Sequence, residues 1–320
     1  MTVTVRGLGR HTNLVIVGIL LGLTQVSAQT AVHDESGFGA ACTSACASKG
    51  SLSQQQTGVS GAKVVQGHAA PQGSYPWLVA IARTLGNGRF YHACSGTLIA
   101  THLVLTAAHC EIHPNDFVVV NAHILSQRKF GDQHAIQGII QFDEPYSSET
   151  YDNDVKLLYV ADALPVSWKM EINRDPQLEN NEGTVLSVAG WGSESTLGPP
   201  SDTLLETTLS TVDLNGCLSE YAHKVKHVIE KSMFCALGAD TYNRQDPQNN
   251  SQSVADTCWG DSGGSVIRKV QGGYLLVGVV GWGLRCGDRN FAGVYTRGSR
   301  IADWVRRCGQ DSGKCKYEAI

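Results

Sequence analysis

Short runs of β-branched and aromatic residues recur along most of the chain, separated by Gly, Pro, Asn and Asp. In the first half they cover residues 77–82, 97–100, 118–120, 136–140 and 155–160. In the second half they cover residues 184–189, 204–212, 266–270, 274–282 and 293–296. Many short strands with turn signals between them are typical of all-β sandwiches and barrels. The pattern therefore predicts an all-β fold.

A different spacing appears near the end of the chain. Ile301, Trp304 and Val305 recur at three- and four-residue intervals, so they would share one face of a helix. We therefore predict one short C-terminal helix over residues 301–307, followed by a tail at residues 308–320.

The first 63 residues follow neither pattern. Basic residues precede an apolar run from Leu14 to Leu23, and small residues then lead to Ala28 at the spacing of a cleavage site. This arrangement is typical of a secretory signal peptide over residues 1–28, and the apolar run is too short to span a bilayer. Residues 29–63 are rich in Ser, Gln, Gly and Ala, which predicts a flexible pro-segment.

Composition narrows the class of protein further. The chain has 320 residues, of which 42% are hydrophobic and 17% charged, so it is long and apolar enough for a globular core. Its net charge is −4 and it has no long basic run, so nucleic acid is not an expected partner. Ten cysteines favour an oxidising, extracellular compartment. No Cys-x-x-Cys pair suggests a metal site, and no later segment predicts a membrane span.

One glycine-rich stretch carries a candidate nucleophile. Ser262 lies between Asp261 and two glycines in the segment 256–264, and glycines let the backbone turn sharply and approach a ligand closely. A serine hydroxyl needs a base to accept its proton. His109, in the segment Leu-Thr-Ala-Ala-His-Cys, is the candidate base.

Asp154, in the segment Tyr-Asp-Asn-Asp-Val-Lys-Leu-Leu, is the candidate for orienting that base, and Asp152 is a rival on composition alone. Each motif by itself is also typical of an ordinary turn or of a residue beside a disulfide. In the order His, Asp, Ser, each beside an apolar run, the motifs resemble those of the trypsin-like serine proteases of the chymotrypsin fold. The resemblance extends from about Val64 to Trp304.

The resemblance implies a fold and a division of the chain. The fold would be two six-stranded antiparallel barrels with the active site between them and a short C-terminal helix. The protease domain would cover residues 64–307, with barrels at roughly 64–175 and 176–298. The split is expected among the turn-forming residues between 165 and 182.

The resemblance also implies the chemistry. Ser262 would attack the peptide carbonyl, His109 would accept and return the proton, and Asp154 would hold the imidazole tautomer. The backbone N–H groups of Gly260 and Ser262 would form the oxyanion hole. The protein would be a secreted serine endopeptidase that needs no cofactor.

Specificity is implied by residues around a primary pocket. Asp256 would lie at its base, where a buried carboxylate calls for a cationic partner such as a substrate Arg or Lys. Thr257 would add a hydroxyl to the wall, Trp282 and Gly283 would pair with the substrate backbone, and Gly293 would keep the pocket open.

Activation is implied by Lys63 and Val64. Members of the resembled family are cut after a basic residue just before such a start, and the freed Val64 ammonium would pair with Asp261. Because this bond follows a lysine, the protein could activate itself.

Other residues depart from the family pattern: Gly281 replaces a serine that helps hold the catalytic aspartate, and Arg285 is near the pocket rim where glycine is usual. Arg285 could narrow the entrance or offer Asp256 a rival cation, and Trp259 at the mouth is bulkier than usual.

The cysteines divide into two sets. The resemblance implies the disulfides Cys94–Cys110, Cys217–Cys235 and Cys258–Cys286. Four others allow three pairings, among which the sequence does not choose: Cys42, Cys46, Cys308 and Cys315. Two local loops are one option, and a tether between the pro-segment and the tail is the other. The sequon at Asn249 is a candidate glycosylation site.

Two other classes of function were compared with the protease. A catalytically weak or silent homologue, acting as a binding or inhibitory protein, is kept open by Gly281 and Arg285. An α/β-hydrolase esterase is disfavoured because its catalytic residues follow the order Ser, acid, His. As a protease the protein would act on protein or peptide substrates as a monomer, and protein inhibitors of proteases are a further class of partner.

Overall fold

Two closed barrels of antiparallel strands make up most of the described chain. The computed structural model describes residues 67–320 apart from 87–88, 130–131, 165–167, 169, 194, 222–230 and 240–253. The predicted signal peptide and pro-segment lie outside these residues. The all-β class with two six-stranded barrels and a short C-terminal helix is confirmed.

The first barrel is built from strands in the first half of the chain. In order these strands are β1 (His68–Ala69), β2 (Leu78–Gly86), β3 (Arg89–Ala100), β4 (Leu103–Thr106), β5 (Phe117–Val119), β6 (Gln133–Gln141) and β7 (Lys156–Val160). Strands β2 to β7 form the ring β5-β2-β3-β4-β7-β6, which closes because β6 pairs with both β7 and β5. Strand β1 pairs instead with a strand of the second barrel.

The second barrel follows the same plan. Its part of the chain contains β8 (Met170–Ile172), α1 (Pro176–Asn180), β9 (Val185–Gly190), β10 (Leu205–Thr211), α2 (Leu214–Tyr221), β11 (Met233–Gly238), β12 (Ser265–Val270), β13 (Gly273–Trp282), β14 (Gly293–Arg297), α3 (Gly298–Gln310) and β15 (Lys316–Ala319). The ring is β9-β10-β11-β14-β13-β12, closed by pairing of β9 with both neighbours. Strand β8 is parallel to β13, and the chain passes between the barrels after Val160 and before Val185.

Some elements differ from the pattern-based expectation. The C-terminal helix begins at Gly298 and ends at Gln310, so it is longer than residues 301–307. Strand β11 was not predicted because all six of its residues are buried, which removes the alternation that marks a half-buried strand. Strand β15 was not predicted because its residues are charged, aromatic or small and all are exposed.

Apolar packing joins the two barrels behind the site. One buried cluster contains Trp77 and Leu157 from the first half and Trp191, Ile267 and Trp304 from the second. Trp77 is fully buried, and its indole N–H donates to the hydroxyl of Ser265 at 3.1 Å. A shared core of this kind fixes the facing surfaces of the barrels, because protein interiors are close-packed.

The end of the chain returns to the first barrel. A disulfide joins Cys308, at the end of α3, to Cys315, just before β15. Strand β15 then pairs antiparallel with β6. Within the described residues, no helix has the length and apolar character needed to cross a membrane.

Candidate active site

His109 and Asp154 lie side by side at the ends of two paired strands. His109 follows β4 by three residues and Asp154 precedes β7 by two, and Thr106 at the end of β4 pairs with Lys156 at the start of β7. The Asp154 Oδ2 atom lies 2.7 Å from His109 Nδ1, and Asp154 Oδ1 accepts the His109 backbone N–H at 2.8 Å. These contacts fix the orientation of the ring, since both carboxylate oxygens are engaged by one residue.

The rival Asp152 is turned away from this pair. Its carboxylate accepts the hydroxyl of Ser232 and the backbone N–H of Asn153. Asp154 is buried, and its backbone carbonyl accepts the Thr296 hydroxyl from β14 at 2.9 Å. The second barrel therefore helps to hold the aspartate that belongs to the first.

Ser262 lies on a tight turn just before β12. Its carbonyl accepts the backbone N–H of Ser95 at 2.8 Å, which ties the turn to β3 of the first barrel. The next residue, Gly263, has φ +81°, and a Cβ there would lie 2.1 Å from Thr106 Oγ1 and 2.5 Å from Ser95 O. Only glycine at position 263 lets the turn approach the first barrel this closely. As a result, Ser262 and His109 line the same cavity.

Gly260 is held by two residues that sequence reasoning missed. Its φ is +102°, and its carbonyl accepts the Ser95 hydroxyl at 3.0 Å and the ring N–H of His92 Nε2 at 2.9 Å. Burial lowers the pKa of His92 to about 4, so the ring is neutral and its proton is on Nε2 at neutral pH. His92 and Ser95 lie on either side of Cys94. Nothing in the local sequence there indicates a contact with Gly260.

Asp256 lies at the buried end of a cavity of about 270 Å³. Its carboxylate accepts the backbone N–H groups of Thr257 at 2.8 Å and Gly287 at 3.0 Å. Burial nevertheless raises the pKa of Asp256 to about 7, because the two N–H groups only partly replace water. The same cavity is lined by Thr257, Trp282, Gly283 and Gly293, which are the other predicted pocket residues.

Gly293 keeps the space beside Asp256 free. A Cβ at this position would lie 2.4 Å from the Tyr295 hydroxyl oxygen and 3.1 Å from Asp256 Oδ1. The Tyr295 hydroxyl is itself 3.1 Å from Thr257 Oγ1. A larger residue at Gly293 would displace the group that positions the pocket wall.

The rim of the cavity carries Arg285 and Trp259. The Arg285 guanidinium pairs with Asp288 at 3.5 Å and is mostly exposed, so the structure gives it this partner and not Asp256. Trp259 is 64% exposed at the mouth. Tyr151, which sequence reasoning did not single out, stacks on Trp282 with 4.8 Å between the ring centroids.

Asp261 points away from the cavity into the second barrel. Its carboxylate accepts the backbone N–H groups of Gly192 and Cys258, both at 2.9 Å, and burial raises its pKa to about 6. A Cβ at Gly190 would lie 1.9 Å from Asp261 Oδ1, and a Cβ at Gly192 would lie 2.3 Å from Asp261 Oδ2. These glycines therefore make the space that the side chain fills. Lys63 and Val64, the other predicted activation residues, lie outside the described residues.

Four disulfides are present in the part of the chain that the structure describes. Three join Cys94 to Cys110, Cys217 to Cys235 and Cys258 to Cys286, beside the histidine, α2 and the pocket respectively. The fourth, Cys308–Cys315, leaves no tail cysteine for a tether to the pro-segment. Cys42, Cys46 and Asn249 lie outside the described residues.

Among the described residues, one group of potential metal ligands occurs beside the site, but its atoms are unsuitable for binding a metal ion. Cys94, His109 and Cys110 place their sulfur and nitrogen atoms within 4.8 Å of one another. The two sulfurs are bonded to each other, and a disulfide sulfur is not the thiolate that binds zinc.

A family model named Trypsin matches residues 64–305. The chain belongs to the trypsin family of serine peptidases. It is 31% identical over 253 residues to a trypsin of Phaedon cochleariae, covering 76% of this chain and 87% of the relative. It is 32% identical to chymotrypsin-like elastase family member 1 of Canis lupus familiaris, covering 79% of this chain and 95% of the relative.

A third relative is much longer than the matched region. Mannan-binding lectin serine protease 1 of Rattus norvegicus is 28% identical over 264 residues, which are 77% of this trypsin-family chain and 35% of the relative. Because proteins named trypsin and elastase both match, family membership leaves the cleavage preference to be argued from the pocket.

Proposed function

We propose that the protein is a secreted serine endopeptidase, made as a zymogen, that hydrolyses peptide bonds after Arg or Lys. The observation that carries this proposal is the buried Asp256 carboxylate in a cavity shared with His109 and Ser262. A buried carboxylate is costly without a cation, and a basic substrate side chain supplies one.

The chemistry follows from the placement of three side chains. Ser262 Oγ bonds to the peptide carbonyl carbon while its proton moves to His109 Nε2. Asp154 keeps the other ring nitrogen, Nδ1, protonated and stabilises the transient imidazolium. The proton then passes to the leaving amine as the C–N bond breaks, which leaves an acyl-enzyme. Water, deprotonated by His109, attacks the ester carbonyl, and His109 passes that proton to Ser262 Oγ as the C–O bond breaks and the acid product leaves.

The negative charge on the carbonyl oxygen is stabilised by the backbone N–H groups of Gly260 and Ser262. The turn that carries them is held by Ser95 and His92 at the Gly260 carbonyl. Preorganised donors of this kind contribute about 2.7–4 kcal/mol each to lowering a barrier, because they need no reorientation during the reaction.

Activation depends on Asp261. Cleavage after Lys63 would free the Val64 ammonium, which would pair with the buried Asp261 carboxylate. A free α-amino group titrates near about 7.7–8.0, and this pairing raises its pKa. The Val64 ammonium stays charged below its raised pKa and keeps its ion pair with Asp261. Above that pKa it loses its proton and the ion pair is lost. Activity therefore holds through neutral pH and falls at alkaline pH.

Secretion is supported by the N-terminal pattern of charge and hydrophobicity and by the disulfides, which persist in oxidising compartments. The partners would be protein or peptide substrates and protein inhibitors of proteases. Specificity for Arg and Lys makes the Lys63–Val64 bond a substrate of the protein itself.

The test compares hydrolysis of matched peptides ending in Arg, Lys, Phe or Ala by protein cut after Lys63. Each peptide is joined to a chromogenic amine, so that a scissile amide follows its last residue. Cleavage after Arg or Lys is expected, and it should vanish in Ser262→Ala but persist in Ser74→Ala, whose half-buried serine lies outside the cavity. Cleavage after Phe or Ala instead would keep the triad and overturn the pocket assignment. No cleavage at all would support the silent binding homologue.

Self-activation needs a separate experiment. Purified precursor should be processed at Lys63 faster than a Ser262→Ala precursor held under the same conditions. Equal processing of the two would show that another protease cuts this bond.

A further inference from the structure

A lysine lies buried directly behind the candidate base. Lys156 is the first residue of β7, two residues after Asp154, and pairs with Thr106 at the end of β4. It is 5% exposed. Its ammonium donates to the carbonyl of Ala108 at 3.3 Å and to the carbonyl of Cys110 at a shorter distance. The two carbonyls belong to the residues on either side of His109.

A positive charge at the buried position of Lys156 is energetically unfavourable. Burying an ammonium is unfavourable because the group loses its hydration, and a carbonyl is a weaker partner than a carboxylate. Burial lowers the pKa of Lys156 to about 8, and attraction to Asp154 and Glu111 opposes the shift. An apolar side chain would fill the space without this cost, so stability alone does not account for the lysine.

The charged groups around Lys156 are engaged elsewhere or exposed, so its ammonium is left to contact the backbone beside His109. Asp154 precedes β7 by two residues, and its carboxylate is engaged by His109. The Glu111 side chain is 84% exposed. The Arg83 guanidinium pairs with Asp116 and donates to the Glu111 carbonyl. On β6, the residue paired with Lys156 is Gln141, which is uncharged.

We propose that Lys156 is a positioning residue for His109. Its ammonium fixes the backbone on both sides of His109, and it places a buried positive charge beside the residue that must accept the Ser262 proton. Removing that charge should make protonation of the imidazole easier, which a variant can test. The inference rests on the proposed function in one respect, that His109 is the base.

The main test is the pH dependence of kcat/KM for wild type and Lys156→Met, whose unbranched side chain is one atom shorter than that of lysine and carries no charge. The acid limb of the profile should move up by roughly half a pH unit or more in Lys156→Met, because a nearby buried cation is lost. We also expect kcat at the optimum to fall about tenfold, because the His109 backbone is released. Lys156→Arg, which keeps the charge, should restore the acid limb toward wild type.

A control separates this effect from a general loss of stability. Leu158→Val removes a methylene from a buried residue on the same strand, in the core of the first barrel. It should lower the melting temperature and leave the acid limb unchanged. An unshifted acid limb in Lys156→Met, or an equal shift in Leu158→Val, would overturn the proposal.

A second measurement does not depend on activity. In protein cut after Lys63 and carrying Ser262→Ala, the NMR titration midpoint of the His109 ring should rise when Lys156→Met is added. If wild type proves inactive on every peptide, the proposed function fails while this titration still decides the role of Lys156. If Lys156→Met does not fold, Lys156→Gln replaces it for the test of charge alone, since glutamine carries no charge but can still donate to a carbonyl.

Discussion

The two barrels supply carboxylates that are partnered in different ways. In the first barrel, Asp154 accepts two hydrogen bonds from His109, one of them from the imidazole. In the second barrel, Asp256 and Asp261 each accept two backbone N–H groups, and burial raises the pKa of each, to about 7 and about 6. The imidazole that binds Asp154 is itself part of the candidate site. Asp256 and Asp261 are held instead by backbone N–H groups.

This difference separates the roles of the barrels. A carboxylate already bound to a ring nitrogen is suited to holding a base in place, because its geometry is set before substrate arrives. A buried carboxylate held by amides gains most from an incoming cation, because the cation favours its charged form. In the proposed mechanism, the first barrel therefore supplies the base and the group that orients it, while recognition and activation use carboxylates of the second.

The largest effect is expected from breaking the first-barrel pair. His109→Ala should lower kcat by roughly 10⁴–10⁶ for every peptide, because removing one member of such a unit costs nearly as much as removing all. The measurement is the rate of peptide hydrolysis together with the affinity for a small arylamidine, which should not change. His68→Ala, with a mostly exposed ring, is the matched control. A loss confined to peptides ending in Arg would contradict the assignment.

Removing the pocket carboxylate should have a smaller and selective effect. Asp256→Ser should lower kcat/KM by roughly 10²–10⁴ for peptides ending in Arg or Lys, since a buried substrate cation would lose its partner at about 3–5 kcal/mol. Hydrolysis of a peptide ending in Phe should change little. Asp288→Asn serves as control because Asp288 pairs with Arg285 at the rim. Equal losses for all peptides would mean that Asp256 supports the fold of the pocket rather than recognition.

The raised pKa of Asp256 predicts a pH-dependent affinity for cations. The carboxyl group of the free protein is increasingly protonated as the pH falls through about 7, so a cation must displace that proton to bind. The dissociation constant of an arylamidine should approach a tenfold rise per pH unit well below about 7 and level off by about pH 8. Calorimetry between pH 5 and 8 measures this directly. A flat profile in wild type, identical to that of Asp256→Ser, would be inconsistent with the raised value.

The smallest effect is expected at the contact between the barrels behind Asp154. A Cβ at Gly281 would lie 2.8 Å from the Val294 carbonyl oxygen and 3.8 Å from Asp154 Oδ2. Gly281→Ser should therefore cost about 1–3 kcal/mol of stability through displaced backbone. The kcat/KM value should stay within roughly tenfold of wild type, because any new hydrogen bond to Asp154 is offset by that shift. Thermal melting and peptide kinetics measure the two quantities.

Gly309→Ser is the control for that substitution, since nothing lies within 4 Å of a Cβ at Gly309. A large gain in rate for Gly281→Ser, with unchanged melting temperature, would show that the backbone near Val294 adapts freely. The proposed strain at this position would then be wrong.

Much of the architecture could be predicted from local pattern. The alternation of short apolar runs and turns indicated an all-β fold, and the family resemblance implied that it consists of two barrels. The spacing of Ile301, Trp304 and Val305 indicated the C-terminal helix. Strand β11 was missed because full burial removes the alternation. The end of α3 and strand β15 were missed because a disulfide and pairing with β6, not hydrophobicity, hold them in place.

The sequence by itself determined the candidate triad, because His109, Asp154 and Ser262 each lie in a short motif whose neighbours set the local turn. Only the tertiary structure decided what holds those motifs together. His92 reaches the Gly260 carbonyl across 168 residues, and Lys156 reaches the carbonyls beside His109 across 46 and 48 residues. Partners so distant leave no trace in local composition. They meet because strand pairing and the close packing of two barrels bring them together.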